Sequence, residues 1–557
     1  MTRYGTGQLA MLPSTMRITT KTLFFVSIFP FFHALAQEAE PPSPPRNWFL
    51  LDPETDRWQG TSTEKAYEQL LKGRPAKTVV VAVIDSGVDI EHEDLQGKIW
   101  TNEKEIAGNG LDDDQNGYVD DVHGWNFIGG KNGNVSVDTH ELTREYNRLK
   151  KQWADADTAR LDKNQLADYR AFVALKQKFE ALRDKNREQY RLYANAYANL
   201  KKSIDTLKHV LQTDELTAEA LKTYSPESIE LKFAKGYVNH FLNQMGSEAG
   251  LMEHVEQLRA GAEYYQPIAE YAYNDQFDPR GIVGDDPANL NERGYGNNDV
   301  RGPDAQHGTH VAGIIAANRS NELGIKGLAD HVVIMPVRAV PNGDERDKDV
   351  ANAIRYAVDN GAQIINMSFG KSYSPQKEAV DAAVQYAESK NVLLIHAAGN
   401  DGDNNDVDKN YPNPIFLNGK VAKNWIEVGA SSWGADEDFV ASFSNYGKKS
   451  VNIFAPGVEM YSTIPGSQYE VLQGTSMASP VVAGVAALVL AHYPDLTAVE
   501  LRKVILDSSR KFDNLEVVKP GGGRGKFSEL STTGGIVNSY EALLLAEKMS
   551  KAKKAKR

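Results

Sequence analysis

A run of mostly β-branched residues, 78–84, constrains the fold of this chain more than any other stretch. The run has no polar face, so a strand made from it is buried on both sides, as in a parallel sheet covered by helices. It ends in Asp85-Ser86-Gly87, and functional side chains in open α/β sheets gather at the C-terminal ends of strands. An ordinary Asp-Ser-Gly turn explains these residues almost as well, so Asp85 is at this point only a candidate.

Strand and helix patterns alternate through the second half of the chain. The predicted strands are 332–340, 364–368, 392–397, 425–429 and 451–455, and predicted helices cover 350–360 and 375–390. This spacing is typical of right-handed βαβ units. We therefore predict an α/β fold with a doubly wound, mainly parallel central sheet flanked by helices.

Residues 139–273 differ in character, because they are rich in Lys, Glu, Gln, Tyr and Ala and contain little Gly or Pro. From Leu166 to Leu211, apolar residues recur at steps of three and four, which predicts one long amphipathic helix. Further helical patterns follow at 221–245 and 251–271. We predict an inserted all-α helical hairpin or bundle, which is either an inert decoration or a device that gates large substrates or docks a protein partner.

The segment 1–36 has the pattern of a secretory signal peptide. Arg17 and Lys21 precede a short apolar run, 23–35, and Ala34-Leu35-Ala36 supplies a small-x-small cleavage site. Met16 stands directly before Arg17 and is a possible true start. We expect export to the periplasm or the cell exterior. Residues 37–77 are predicted to be a Pro-rich linker and N-terminal arm.

The composition excludes several classes of function. A net charge of −13 argues against nucleic acid as a partner. The chain has no cysteine, which excludes disulfides, thiolate metal sites and a cysteine nucleophile. It also excludes a lipid-modified cysteine, so no membrane anchor is expected after signal cleavage.

An acidic loop, residues 110–121, has oxygen-bearing side chains at alternate positions followed by a glycine, as in the first half of a Ca²⁺-binding loop. His123 stands where an EF-hand would place its glutamate, so we predict a structural Ca²⁺ site that is closed by ligands from elsewhere. The alternative is a solvated acidic turn. The predicted ligands are Asp112, Asp114, Asn116, the Tyr118 carbonyl, and Asp120 or Asp121.

The pattern of residues 474–480 predicts a tight turn followed by a buried helix, with Ser476 in the first helical turn. The amides at a helix N-terminus have no internal partners and the helix dipole is positive there. An anion that forms beside Ser476 during attack on a carbonyl would therefore be stabilised. The alternative is a serine that only caps a core helix.

Three further residues lie at predicted strand ends or helix starts and could supply the groups that a nucleophilic Ser476 needs. His307 titrates near neutrality and can take the hydroxyl proton. Asp85 can fix the imidazole tautomer, and Asn400 can donate an N–H to the developing oxyanion.

Five local motifs, in register over 78–545 apart from the insertion, closely resemble the subtilase family of serine proteases (peptidase S8), whose triad order is Asp, His, Ser. They are Val83-Ile84-Asp85-Ser86-Gly87, His307-Gly308-Thr309-His310-Val311-Ala312-Gly313, Ile365-Asn366-Met367-Ser368-Phe369-Gly370, Ala397-Ala398-Gly399-Asn400 and Gly474-Thr475-Ser476-Met477-Ala478-Ser479-Pro480.

The resemblance implies a subtilisin-like fold and a secreted serine endopeptidase that acts on protein or peptide substrates through an acyl-enzyme. Asp85, His307 and Ser476 would form the triad and Asn400 the oxyanion hole, while His310 would be structural. The substrate-binding residues it implies are Ser368, Phe369, Gly370, Gly399 and Asn410. The last lies near the pocket for the residue preceding the cut, and the acidic run 401–408 beside it would favour a basic or polar side chain there.

The catalytic domain would then comprise 78–138 and 274–547, followed by a frayed basic tail, 548–557. A pseudoenzyme or adhesive scaffold of this fold is the main alternative, but it would be expected to lack at least one of the four catalytic residues. A lipase or esterase should show a Gly-x-Ser-x-Gly elbow, which is absent around Ser476.

Overall fold

The computed structural model describes residues 43–556, so the predicted signal peptide lies outside the described residues. The strands are β1 (Val79–Asp85), β2 (Trp125–Asn126), β3 (Gly129–Gly130), β4 (Gly133–Asn134), β5 (Val332–Arg338), β6 (Ile364–Met367), β7 (Leu393–Ala397), β8 (Trp425–Ser431), β9 (Ile453–Pro456), β10 (Met460–Ile464), β11 (Gln468–Leu472), β12 (Arg510–Lys511), β13 (Glu516–Val518), β14 (Arg524–Lys526) and β15 (Gly535–Ile536). The α-helices are α1 (Thr63–Ala66), α2 (Glu141–Trp153), α3 (Lys163–Leu211), α4 (Ala218–Thr223), α5 (Ile229–Met245), α6 (Glu248–Pro267), α7 (Gln306–Ala316), α8 (Asp347–Asp359), α9 (Lys377–Ser389), α10 (Thr475–His492), α11 (Ala498–Asp507) and α12 (Ser539–Lys556).

The central sheet has the strand order β12-β15-β9-β8-β7-β6-β1-β5-β2. Its pairs are parallel except for β12 with β15. Alternate residues of β1 enter different cores: Val81 and Val83 pack with α7 and α10, whereas Ala82 and Ile84 pack with α8 and α9. The prediction of a doubly wound, mainly parallel sheet is confirmed, because a strand with two apolar faces needs helices on both sides.

Helix α10 is the most deeply buried helix beside the sheet. It is long and apolar enough to suit a membrane span, but 89% of it is buried inside the protein. Its burial fixes the position of Ser476 in its first turn.

Both ends of the described chain differ from the sequence expectation. Trp48, Phe49 and Leu50 are fully buried, so from this point the N-terminal arm belongs to the core and is not a linker. The expected fraying from Lys548 is wrong up to Lys556, because α12 continues to that residue. The side chain of Lys553 stabilises this end through a 2.7 Å ion pair with Glu500.

Helices α2 to α6 make up the insertion and bury two separate apolar clusters. The basal cluster joins α2 to the start of α3 and includes Tyr146, Phe172, Phe179 and Tyr273. The distal cluster joins the end of α3 to α4, α5 and α6 and spans residues 200–255. The amphipathic helices therefore bury apolar side chains against one another in two places. The domain boundaries drawn from the sequence stay predictions.

Candidate active site

The end of β1 and the start of α7 bring Asp85 and His307 into contact. His307 Nδ1 lies 2.7 Å from Asp85 Oδ1, and that oxygen also accepts the Ser86 N–H at 2.7 Å. Only glycine permits this approach of α7, because a Cβ on Gly308 would lie 2.2 Å from the carbonyl oxygen of Gly87.

The contact sets the protonation of His307. Burial alone would lower the pKa of the imidazole, but the charge and hydrogen bond of the Asp85 carboxylate outweigh burial, and the pKa is raised. With Nδ1 donating to Asp85, the neutral ring presents Nε2 as an acceptor. The His307 side chain is 38% exposed, so a substrate can reach it.

Ser476 lies in the first turn of α10 and is joined to the strand end at Ser368. Its Oγ donates to the Ser368 carbonyl at 3.0 Å, and the Ser368 hydroxyl donates to the Ser476 carbonyl at 2.9 Å. Among the described residues, no hydrogen bond joins Ser476 Oγ to His307 in this conformation. Asn366, which the sequence reasoning did not assign, donates to the Ser368 hydroxyl at 2.9 Å and accepts from Ser479 at 2.7 Å.

The side-chain amide of Asn400 is oriented by Thr475, a residue that sequence reasoning missed. Asn400 Oδ1 accepts the Thr475 N–H at 2.8 Å and the Thr475 hydroxyl at 3.0 Å. This leaves Nδ2 as a donor. A Cβ on Gly474 would lie 3.5 Å from Asn400 Nδ2 and 3.6 Å from Ser476 N, so the two N–H donors border the same space.

The structure brings together Gly370, Gly399 and Asn410. Asn410 Nδ2 donates to the carbonyls of residues 397 and 398 at 3.3 and 3.1 Å. A Cβ on Gly370 would lie 2.5 Å from Asn410 Oδ1, and Gly399 has a φ of +108°. Phe369 is directed elsewhere, since its half-buried ring lies 6.2 Å from that of the buried His396.

His310, which the sequence assigned a structural role, lies in the core. Its Nε2 is 2.9 Å from the Met460 carbonyl. Burial lowers the pKa of His310 to about 4, which keeps the ring neutral at physiological pH.

The acidic loop brings Asp112 and Asp114, two of the predicted ligands, together with Glu105, which was not predicted. Oxygens of Glu105, Asp112 and Asp114 lie within 4.8 Å of one another. Asp120 instead accepts the N–H groups of residues 109 and 110 at 3.1 and 2.9 Å. Asp121 accepts from the Tyr356 hydroxyl at 2.7 Å. A cluster of oxygens alone suits a hard cation such as Ca²⁺.

Asn116, another predicted ligand, also has partners of its own. Asn116 Nδ2 donates to Asp121 at 3.1 Å, while Asn116 Oδ1 accepts the Tyr118 N–H at 2.8 Å. Burial raises the pKa of Asp121 to about 6. Glu105 lies outside the alternating pattern of the loop, which is why the sequence did not reveal it.

A doubly wound parallel sheet with these polar groups at its strand ends defines the subtilisin-like class of fold. The chain belongs to the subtilase family, whose model matches residues 76–142 and 236–530. The unmatched residues 143–235 fall within the insertion.

Named relatives share about two fifths of their aligned residues with this chain. A thermophilic serine proteinase from Bacillus sp. (strain AK1) is 39% identical over 42% of this chain and 52% of its own length. Thermitase from Thermoactinomyces vulgaris is 42% identical over 33% of this chain and 60% of its own length. Subtilisin DY from Bacillus licheniformis is 39% identical over 35% of this chain and 67% of its own length. The chain thus spans about half the length of the first of these relatives.

Proposed function

We propose that this chain is a secreted serine endopeptidase that hydrolyses peptide bonds in proteins through an acyl-enzyme. Asp85, His307 and Ser476 form its triad, and Asn400 with the Ser476 N–H forms its oxyanion hole. The observation that carries the proposal is the 2.7 Å contact between His307 Nδ1 and the buried Asp85 carboxylate. The names of the relatives as proteases support the same activity.

The reaction begins when the Ser476 hydroxyl turns from the Ser368 carbonyl towards His307 Nε2, since hydrogen bonds between catalytic groups often form only when substrate binds. Nε2 takes the proton as Oγ attacks the scissile carbonyl. The Asn400 amide and the Ser476 N–H stabilise the negative oxygen of the tetrahedral intermediate. His307 then protonates the leaving amine, and the same steps with water release the acyl group.

Export and the partners of the chain belong to the same proposal. Protein or peptide substrates bind along the edge formed by residues 368–370, and the net charge of −13 disfavours nucleic acid. A relative from Bacillus subtilis is named a cell wall-associated protease, which supports export to the periplasm or exterior. The distal helices of the insertion offer a surface for a protein partner.

We also propose a structural Ca²⁺ site. Glu105, Asp112 and Asp114 would hold the ion, because their convergent carboxylates repel one another without a cation. The ion would neutralise these charges and stabilise the loop, and it takes no part in the peptidase steps.

The test is the variant Ser476→Ala, with Ser442→Ala at an exposed serine as the matched control. We expect Ser476→Ala to abolish hydrolysis of casein and of fluorogenic peptides and labelling by a fluorophosphonate. The control should retain both. Substantial activity in folded Ser476→Ala would contradict the assignment of the nucleophile.

A further inference from the structure

A cavity of about 260 Å³ lies between the substrate-binding edge and the insertion. Gly370, Asp401 and Asn410 line it from the catalytic side. Lys178, Leu182 and Tyr273 line it from the insertion. Because Asn410 also packs against Gly370 at the strand end, this cavity opens directly beside the residues that would hold the substrate.

The wall that the insertion contributes is fixed in place. Tyr273 is only 8% exposed and its ring lies 5.1 Å from that of His140. Lys178 Nζ donates to the Tyr373 hydroxyl at 3.0 Å, which ties α3 to the segment that follows Gly370. The buried aromatic contact of Tyr273 keeps this part of the wall in a defined shape.

Two carboxylates face this cavity, Asp344 and Asp401. Asp344 Oδ2 accepts the Glu141 N–H at 2.8 Å, and its Oδ1 lies 4.0 Å from His140 Nε2. The Asp401 carboxylate has no ion pair or hydrogen bond among the residues that the structure describes. Burial, and then the charge of Asp344, raise the pKa of Asp401.

The two lysines that line the cavity have other partners. Lys371 Nζ is already paired with Glu141 at 2.8 Å and with Asp347 at 2.9 Å. Lys178 stands at the Tyr373 hydroxyl as a single exposed ammonium. Of the two cavity carboxylates, the one without an ion pair or hydrogen bond to any described residue is that of Asp401.

The acidic run after Asn400 contributes less than the sequence suggested. Asp401 alone of that run lines the cavity. Asp406 is turned away and accepts the N–H groups of Lys449 and Ser450 at 3.0 and 2.9 Å. A preference for a basic side chain would therefore depend on Asp401 together with Asp344, which lies 57 residues earlier in the chain.

We propose that the cavity receives the substrate side chain that precedes the cut, that Leu182 and Tyr273 of the insertion form its wall, and that Asp344 and Asp401 select lysine or arginine. The inference rests on the proposed peptidase function. Lysine and arginine carry an apolar stem that packs on such a wall and a cationic end that carboxylates bind.

The test uses the full chain and fluorogenic peptides that differ only in the residue before the cut: Arg, Lys, Gln, Leu and Phe. We expect the wild type to prefer Arg and Lys over Gln by about tenfold or more in kcat/KM. Asp401→Asn and Asp344→Asn should each reduce this ratio about tenfold, the loss expected for one charge-assisted contact. Asparagine at 344 still accepts the Glu141 N–H, so the start of α2 keeps its hydrogen bond.

Leu182→Ala and Tyr273→Ala should raise kcat/KM for Phe relative to Lys, because the smaller side chains enlarge the cavity. The matched controls are Asp408→Asn, at an exposed carboxylate outside the cavity, and Tyr264→Ala, at a tyrosine of the insertion that is 61% exposed. Both controls should leave every ratio unchanged.

The rate of fluorophosphonate labelling separates the possible failures. A wild type that neither labels nor cleaves any peptide overturns the proposed function and with it this inference. A wild type that labels and cleaves but prefers Leu or Phe overturns the inference alone. Ratios of kcat/KM between the peptides that stay unchanged in all four cavity variants, while labelling remains normal, also overturn the inference alone.

Discussion

Glu141 Oε2 lies 2.8 Å from Lys371 Nζ, and the two side chains are only 7% and 1% exposed. The pair joins the first turn of α2 to the residue that follows Gly370 at the substrate-binding edge. Lys371 Nζ also donates to the Glu345 carbonyl at 2.7 Å. Through this buried pair the base of the insertion and the substrate-binding edge form one packed unit.

Breaking this pair should destabilise the protein strongly. Glu141→Ala leaves the Lys371 ammonium short of a partner in a dry site, and we expect a loss of about 3–5 kcal/mol in the free energy of unfolding. Denaturant unfolding followed by fluorescence measures it. The control is Asp205→Ala, which breaks an exposed pair with Lys201 and should cost less than about 1 kcal/mol. Equal losses would contradict the role of the buried pair.

Asp85→Asn should change the pH profile of the reaction as well as its rate. The Asp85 carboxylate raises the pKa of His307, and only neutral His307 can accept the proton. Removing the charge lowers that pKa, so the acidic limb of kcat/KM should move to lower pH while kcat falls about 10⁴-fold. Asp304→Asn removes a more distant charge and should shift the limb slightly with kcat nearly intact. An acidic limb that stays in place in Asp85→Asn would contradict the assignment.

Asn400→Leu should lower kcat about 10²–10³-fold with little change in KM, because it removes one oxyanion donor. That magnitude is the one known for subtilisin itself, a member of the same family. Thr475→Val removes the hydroxyl that donates to Asn400 Oδ1 and accepts the Gly399 N–H, but the N–H of residue 475 still holds Asn400 Oδ1, so the variant should cost much less. If both variants lost the same activity, the donor role of Nδ2 would be wrong. Steady-state kinetics on one peptide measure both.

Calcium should raise the midpoint of thermal unfolding relative to chelator. A cation at 100 times its Kd adds about 2.7 kcal/mol by mass action. Asp112→Asn should remove most of the difference, and Glu103→Gln, at an exposed glutamate outside the cluster, should keep it. Identical midpoints with calcium and chelator in the wild type would remove the site from consideration.

Replacing residues 195–258 with a short Gly/Ser linker should leave peptide cleavage and its specificity unchanged. The deletion removes the distal apolar cluster as a whole and keeps the basal cluster. Tyr193 and Tyr265, whose rings stack at 5.6 Å, show that α3 and α6 are close enough for the linker. The distal cluster begins about 30 Å along α3 from Phe179, at about 1.5 Å per residue, too far to touch a peptide. The rate of cleavage of folded protein substrates should change. If a folded deletion variant lost peptide cleavage, the distal helices would be part of the catalytic architecture and the prediction would be wrong.

Local sequence patterns determined the fold class. The β-branched run 78–84 could only be a buried strand, and the strand–helix spacing after it led to the doubly wound sheet that the structure has. The candidates Asp85, His307 and Ser476 were recognisable because each lies where a regular element begins or ends. These features depend on neighbouring residues in the sequence, so they can be predicted without knowledge of distant contacts.

Only the tertiary structure decided which side chains meet across long distances in sequence. Glu105 joins Asp112 and Asp114, while Asp120 turns to nearby backbone amides, because the direction of a carboxylate depends on which donors the folded loop presents. Glu141 and Lys371 are 230 residues apart and follow no common period. The wall that the insertion gives to the substrate cavity depends on the same long-range packing, which no local pattern encodes.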